Sequence, residues 1–392
     1  MGETEAGEVW RPVVYWRMME RKQQGKRAPV IKDVAALAEV SVSTVSRYLN
    51  DSPKLSDDAR ARIAHAIALL GYRPSRVARG LVTSAMKSIA VLSSNTTLYG
   101  SAMTIQGVED EARAHGYPVT IAKLDGGSTE ALRASVDMVM DFNPSGVVVL
   151  NYDAAAHEAL GMLPDVVAKI AIAGDRVEGV ARLDQIDLCE NRAGRELTEY
   201  LLGLGHATVT HVTIPGGGGG YSRTAGWEEA LRAAGRPIPD VLHCTWDPKD
   251  ARAIGRRLAH GDAAARGDAG AARRATAVFA GNDEIAMGII RGLADEGVRV
   301  PEDVSVVGFD DHPLADVWSP AITTCRQDFA AAGRRAAALL IERIETAVPG
   351  QGAPDDPGVS DLSGVSGADM PPRFVELPGE LVIRASAAAP RV

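Results

Sequence analysis

Apolar residues recur at helical spacing in three short runs between residues 31 and 71. In the first run, one face is formed at positions i, i+3, i+4 and i+7 by Ile31, Val34, Ala35 and Ala38. Three helices over about forty residues enclose only a small core, which is typical of a helix-turn-helix module. The pattern therefore predicts a compact all-α head.

Residues that begin or end helices separate these runs. Glu39 and Val40 predict a tight turn, after which Ser41 is placed to cap the second helix. Ser56 is placed to cap the third helix, and Gly71 ends it. The residues expected on the inner faces of the second and third helices are Val42 or Val45, Leu49, Ile63, Ile67 and Leu70.

From Ser88 onward the pattern changes to strands that alternate with amphipathic helices. The strand-like runs are SIAVLSS, YPVTIAKL, GVVVLN, KIAIAG, ATVTHVTIP, AVFAGN and VSVVGFDD. Continuous Val, Ile and Ala runs predict parallel strands whose sheet is covered by helices on both faces. About 260 residues of this pattern exceed one doubly wound domain, so we predict an α/β body with two lobes. Ligands in such lobes bind beyond the carboxyl ends of the strands, where the polar residues are Ser94, Asp175, Asn282, Asp283, Asp310 and Asp311.

Charge separates the same two regions. The 392-residue chain has a net charge of −9, but residues 26–87 contain eleven basic and five acidic residues, a net +6 that leaves −15 on the remainder. A basic head before an acidic body fits contact between the head and a polyanion such as DNA. Chance clustering of charges on a solvated surface is the alternative.

Cysteine spacing and hydropathy exclude several other classes. Cys189, Cys244 and Cys325 are far apart and form neither a metal-binding spacing nor a disulfide framework. No apolar run reaches the ~18 residues that a membrane span needs, and residues 1–10 lack the features of a secretory signal. We expect no metal, no cofactor and no membrane partner, and a reducing cytoplasmic location.

The string IKDVAALAEVSVSTVSRYLNDSPKLSDDARARIAHAIALLGYRPSRVARGL resembles the LacI family of bacterial repressors. The resemblance continues through LGHATVTHVTIP, SRTAGWEEAL, the long segment from VFAGNDEIAMG to TTCRQDFAAAG and the closing FVELPGELVIR, and covers about residues 30–348 and 373–386. It implies an all-α helix-turn-helix head and a hinge helix, followed by a two-lobed body like a periplasmic binding protein. It also implies a homodimer on a pseudo-palindromic operator, whose affinity is controlled by a small molecule such as a sugar. Whether that molecule releases or promotes DNA binding stays open.

Pattern and resemblance together give the predicted domains. They are a disordered extension at 1–28, the helix-turn-helix domain at 29–73, a hinge helix and linker at 74–86, a first lobe at 87–187 plus 326–348, a second lobe at 188–325 plus 373–386, and a flexible loop at 349–372.

The resemblance assigns the DNA contacts mainly to the second helix. It implies that Val42, Ser43 and Arg47 read base edges, where an arginine paired with guanine discriminates by ~1–3 kcal/mol. It implies phosphate or other DNA contacts for Ser41, Thr44, Ser46, Asn50 and Lys54, and minor-groove contacts for Ala78 and Leu81 of the hinge. One departure is Val30, which stands where the family usually has Thr or Ser before the first helix.

The resemblance also gives a set of effector-binding residues. They are Ser94, Leu98, Asp175, Arg223, Trp246, Asn282, Asp310 and Phe329. Polyols need several fixed donors and acceptors around a flat apolar platform, which such a set supplies. Asp283 and Asp311 are expected to make structural contacts rather than to touch the ligand.

Two other classes of protein share an α/β body. An enzyme is disfavoured because the chain has no GxSxG, no complete Walker A and no HExxH motif. A sugar-binding transport protein would need an export signal and would have no use for a basic head. We therefore predict a transcriptional regulator without enzymatic activity.

Overall fold

The computed structural model describes residues 29–49, 52, 55–72, 86–215, 223–261, 275–346 and 370–391. The predicted N-terminal extension, hinge helix and most of the predicted loop at 349–372 lie outside the described residues, as do Asn50, Lys54, Ala78 and Leu81. The chain divides into two compact units, Met1–Met86 and Lys87–Val392.

The head contains the three predicted helices. They are α1 (Ile31–Leu37), α2 (Val42–Leu49) and α3 (Asp57–Leu70). Their apolar faces meet in one small core, in which Val34, Val45 and Ile63 are completely buried. Val45 is therefore the inward residue of α2, whereas Val42 is 40% exposed.

Local contacts fix the ends of the head helices. The Ser56 hydroxyl accepts a hydrogen bond from the Ala59 N–H at 3.4 Å. Gly71 ends α3 at a φ of +59°, a conformation that glycine adopts without strain. Val30 has no side-chain acceptor for the first turn of α1, and the Asp33 carboxylate instead accepts the Val30 N–H at 2.8 Å.

Strands and helices alternate through the rest of the chain. The strands are β1 (Met86–Ser93), β2 (Val119–Lys123), β3 (Pro144–Asn151), β4 (Ala168–Ala173), β5 (Asp184–Asp187), β6 (Thr210–Thr213), β7 (Leu242–His243), β8 (Ala277–Ala280), β9 (Ser305–Val307), β10 (Thr324–Arg326), β11 (Phe374–Glu376) and β12 (Glu380–Val382). The helices are α4 (Tyr99–Ala114), α5 (Thr129–Met140), α6 (Ala154–Met162), α7 (Glu190–Gly203), α8 (Arg223–Ala233), α9 (Pro248–Ala259), α10 (Asp283–Asp295), α11 (Pro313–Val317) and α12 (Phe329–Thr346).

The body has two lobes, each with its own sheet. The first sheet has the order β11-β5-β4-β3-β1-β2, and the second has the order β7-β6-β8-β9. Every strand pair of known register in these two sheets is parallel, while β10 and β12 form a separate antiparallel pair. Separate apolar clusters lie on the two faces of each sheet. The predicted α/β fold with two lobes is thus confirmed.

The assignment of residues 373–386 to the second lobe is wrong for their first part. Strand β11 pairs in parallel with β5 at the edge of the first sheet, and only β12 joins β10. A buried ion network holds β11 there. The Asp184 carboxylate accepts from Arg343 at 2.6 and 2.8 Å and from the Arg373 guanidinium at 3.0 Å.

Helix α12 packs closely against α4 in the first lobe. An added Cβ would lie 2.1 Å from the Ala330 carbonyl oxygen at Gly107, and 2.2 Å from the Thr104 carbonyl oxygen at Gly333. Only glycine permits this approach of the two backbones. The packing fixes Phe329, the first residue of α12, at the end of the first sheet.

Candidate DNA-contact surface and ligand cleft

Helix α2 presents a polar face opposite its buried Val45. Six of the predicted DNA-contact residues are described, and all lie on α2 or directly before it: Ser41, Val42, Ser43, Thr44, Ser46 and Arg47. Val42, Ser43 and Arg47, the predicted base-reading residues, are exposed. No acidic residue lies in the first turn of α2, so nothing there repels a phosphate.

Hydroxyl groups cluster at the N-terminus of α2. The Ser41 hydroxyl accepts from the Thr44 N–H at 3.1 Å, as expected for a cap. It also lies 2.8 Å from the Ser43 hydroxyl and 2.7 Å from the Thr44 hydroxyl. The positive end of a helix lined with hydroxyls suits contact with a phosphate oxygen.

The body encloses a cleft of about 1750 Å³. All eight of the predicted effector residues line it. Ser94, Leu98 and Asp175 follow strands of the first lobe, and Phe329 begins α12. Arg223, Trp246, Asn282 and Asp310 come from the second lobe. The cleft therefore lies beyond the carboxyl ends of the strands, where ligands bind in such sheets.

Arg223 is the central buried cation of the cleft. Its guanidinium donates to both Glu190 carboxylate oxygens, at 3.0 and 2.5 Å, and to the Gly281 carbonyl. It also lies 3.6 Å from an Asp310 oxygen and stacks on the Phe309 ring at 3.9 Å. Its charge is matched mainly by Glu190, a residue that sequence reasoning missed. In the sequence, Glu190 is only a carboxylate at the start of a helix, which the helix dipole alone would explain.

Two carboxyl groups of the cleft have strongly perturbed acidities. Burial raises the pKa of Asp175 to about 7, and the negative charges of Glu190 and Asp187 add to the rise. Burial also raises the pKa of Asp310 to about 7, although Arg223 opposes the shift. Each carboxyl group has one buried oxygen without a hydrogen-bond partner among the described residues.

Asn282 and its neighbours hold the backbone around the second lobe. The Asn282 side chain accepts from the Ile285 N–H at 2.9 Å, so it caps α10 while it lines the cleft. Asp283 accepts from the His312 N–H at 2.7 Å, and Asp311 forms ion pairs of 2.7 Å with Arg326 and Arg384. The contacts of Asp283 and Asp311 agree with their predicted structural roles.

Aromatic side chains form part of the cleft wall. Phe329 packs edge-on against Tyr99 and Tyr152, with ring centroids 6.1 and 6.4 Å apart. Trp246 is 38% exposed and faces the cleft rather than the core. Sequence reasoning missed Tyr99 and Tyr152, because tyrosines at a helix start and a strand end do not differ in pattern from core residues.

A three-helix head joined to a two-lobed body with a ligand-sized cleft defines a class of ligand-regulated DNA-binding proteins. A model of the periplasmic binding protein-like domain matches residues 198–387, and one of the bacterial regulatory proteins of the lacI family matches residues 30–75. The chain is 31% identical over 322 residues to the HTH-type transcriptional repressor PurR of Photorhabdus laumondii, covering 80% of this chain and 90% of that relative. The chain belongs to the LacI family of bacterial transcriptional regulators.

Solved structures agree with this assignment. The lac repressor dimer bound to operator and the anti-inducer ONPF matches with a TM-score of 0.75 and 23% identity, over 93% of this chain and 100% of that chain. At that identity the match shows the fold. The complex of the transcriptional regulator CelR with cellobiose matches with a TM-score of 0.60 and 26% identity, over 91% of this chain and 99% of that chain.

Neither a membrane helix nor a metal cluster is found within the described part of the chain. None of its helices is long and apolar enough to cross a bilayer. Its His, Cys, Asp and Glu side chains form no group of three that could bind a metal ion.

Proposed function

We propose that this protein binds a pseudo-palindromic operator as a homodimer and that a small molecule in the cleft controls its affinity for that operator. The observation that carries the proposal is the exposure of Val42, Ser43 and Arg47 on one helix of a basic head. A helix of this kind enters the major groove with its N-terminal residues toward the bases. The lac repressor structure described above, a dimer bound to operator, supports the same arrangement.

The cleft supplies the control. Its wall comes from both lobes, so a ligand that contacts both favours one arrangement of the lobes over another. Coupling of this type amounts to ~1–3 kcal/mol in typical allosteric proteins. The cellobiose bound to CelR supports a sugar-like molecule. The protein acts in the cytoplasm, where its operator lies, and it releases the ligand chemically unchanged.

The test begins with a genome-wide footprint of the full chain, followed by titration of the best-occupied fragment. Replacing Arg47 by alanine should weaken binding to that fragment about tenfold or more, because the bidentate pair with guanine is lost. Arg195→Ala removes the same charge from an exposed position on α7 and is the matched control. If the footprint shows no selective site, or if both substitutions weaken binding equally, the assignment of the head fails.

A further inference from the structure

The cleft contains buried oxygen atoms that no protein group satisfies. Within the described residues, Asn151 Oδ1, Asp175 Oδ2 and Asp310 Oδ1 have no hydrogen-bond partner, and all three residues line the cleft. An ionised carboxylate only accepts hydrogen bonds. Buried polar atoms in proteins are almost always paired. A ligand with hydrogen-bond donors would therefore satisfy these three atoms.

The charges of the cleft are unbalanced in the same direction. Eight carboxylate side chains, three Lys or Arg side chains and two histidines line it. Lys123 and Arg176 are exposed at its edge, and Arg176 stacks on the Phe374 ring at 5.1 Å. The remaining cation, Arg223, is already bound in two places by Glu190. Asp310 Oδ1 lies 3.6 Å from the Arg223 guanidinium without a hydrogen bond to it, and Asp175 has no ion pair among the described residues.

The two carboxyl groups of the cleft with an unpartnered oxygen belong to different lobes. Asp175 follows β4 of the first lobe, and Asp310 follows β9 of the second. Both residues line the cleft, so a cationic group in the cleft can meet a carboxylate from each lobe. The aromatic rings of Phe329, Tyr99 and Trp246 in the same wall also favour a cation, because ring faces attract positive charge.

We propose that the effector carries a positively charged nitrogen and no anionic group, and that Asp175 in the first lobe and Asp310 in the second accept hydrogen bonds from it. The proposal rests on the proposed function, since it names the chemical class of the molecule that the cleft takes. An amino sugar and an aliphatic amine both have this chemistry. A phosphorylated sugar or a dicarboxylate would add negative charge to the cleft and is excluded.

Matched probes test the proposal on the full chain. One set is D-glucosamine, D-glucose and D-glucose 6-phosphate, and the other is putrescine, butane-1,4-diol and succinate. Binding is measured by calorimetry and thermal shift at equal ionic strength and at a pH of about 7.5, just above the pKa of about 7 of the two carboxyl groups. In at least one set, the amine should bind about tenfold or more tightly than its neutral partner, and the anion should not bind.

Charge-removing variants complete the test. Asp310→Asn and Asp175→Asn keep the shape of the side chain and should abolish the preference for the amine. Asp137→Asn makes the same change on an exposed part of α5 outside the cleft and should leave it unchanged. Melting temperatures without ligand show that each variant is folded.

Three results would overturn the proposal. They are neutral or anionic probes that bind as tightly as the amines, a preference that survives in both cleft variants, and a failure of every probe to bind. None of these measurements involves DNA. A protein that prefers amines but binds no operator would therefore contradict only the proposed function.

Discussion

The predicted base-reading side chains are exposed on α2, whereas the central cation in the cleft of the body is buried and held by other segments of the chain. The predicted base-reading residue Arg47 is exposed on a short helix, and its position depends on the local winding of that helix. Arg223 is 5% exposed and is held by a carboxylate from another helix and a carbonyl from a loop. A surface of the first kind can change its specificity without loss of stability. A cleft of the second kind links ligand binding to the stability of the lobes.

The largest effect is expected from removal of the buried cation of the cleft. Arg223→Ala leaves Glu190 buried and unpaired, so the free energy of unfolding should fall by about 3–5 kcal/mol. Denaturant unfolding of the full chain at neutral pH measures this loss. Arg232→Ala breaks an exposed pair with Glu228 on the same helix and is the control, because exposed ion pairs contribute little. Similar losses in the two variants would show that Arg223 has no special role in stability.

A cavity in the core of the head should impair operator binding and leave ligand binding by the body intact. Ile63 is completely buried in the small core that α1, α2 and α3 share. Ile63→Ala should destabilise the head by about 2–5 kcal/mol, a large part of the stability of so small a core. Operator binding should be lost while ligand binding by the body persists. Leu69→Ala on the same helix is the control, because Leu69 is 64% exposed. Loss of ligand binding in the Ile63 variant would show that the body does not stay folded when the head unfolds.

The head could be predicted from the sequence more completely than the body. The head helices follow from local periodicity and capping, and the structure confirms them within a residue or two. Strand β5, with the sequence DQID, was not predicted, because its acidic residues do not form an apolar run and the partners of Asp184 are far along the chain. Asp184 is buried there only because Arg343 and Arg373, far along the chain, neutralise it. The same long-range pairing explains why β11 was assigned to the wrong lobe.

In the cleft, too, contacts between distant segments could not be predicted from the sequence. The eight residues suggested by family resemblance line one cavity, but their partners could not be derived from spacing. Glu190 contacts Arg223 across two helices, and Asn151 and Tyr152 enter the cleft wall at the end of β3. Contacts between segments that are distant in sequence depend on how the sheets pack. No local pattern encodes that packing.

The acidity of the cleft predicts a pH dependence of stability. The pKa of Asp175 and that of Asp310 are each raised from 3.8 to about 7 in the folded protein. Between these values the folded chain holds more protons than the unfolded chain, so stability is lost as the pH rises through 7. The slope is at most about 1.4 kcal/mol per pH unit for each group. Unfolding measured between pH values of about 5 and 8 should show this fall, and Asp310→Asn should flatten it. An unchanged slope in that variant would assign the pH dependence to other groups.

The smallest effect is expected at the start of α1, where the chain departs from its family. Val30 is 38% exposed and its side chain offers no oxygen to the first turn, while the Asp33 carboxylate accepts the N–H of Val30 itself. Val30→Thr should supply the missing cap and stabilise the head by about 1 kcal/mol, since capping hydroxyls contribute that much in other helices. Ser56→Ala, which removes the cap of α3, should cost a similar amount and calibrates the measurement. The resemblance also implies a phosphate contact for the hydroxyl that the family usually has at this position, so the variant should bind operator at least as tightly as the natural chain. A stabilised head with weaker operator binding would mean that the valine itself contacts DNA.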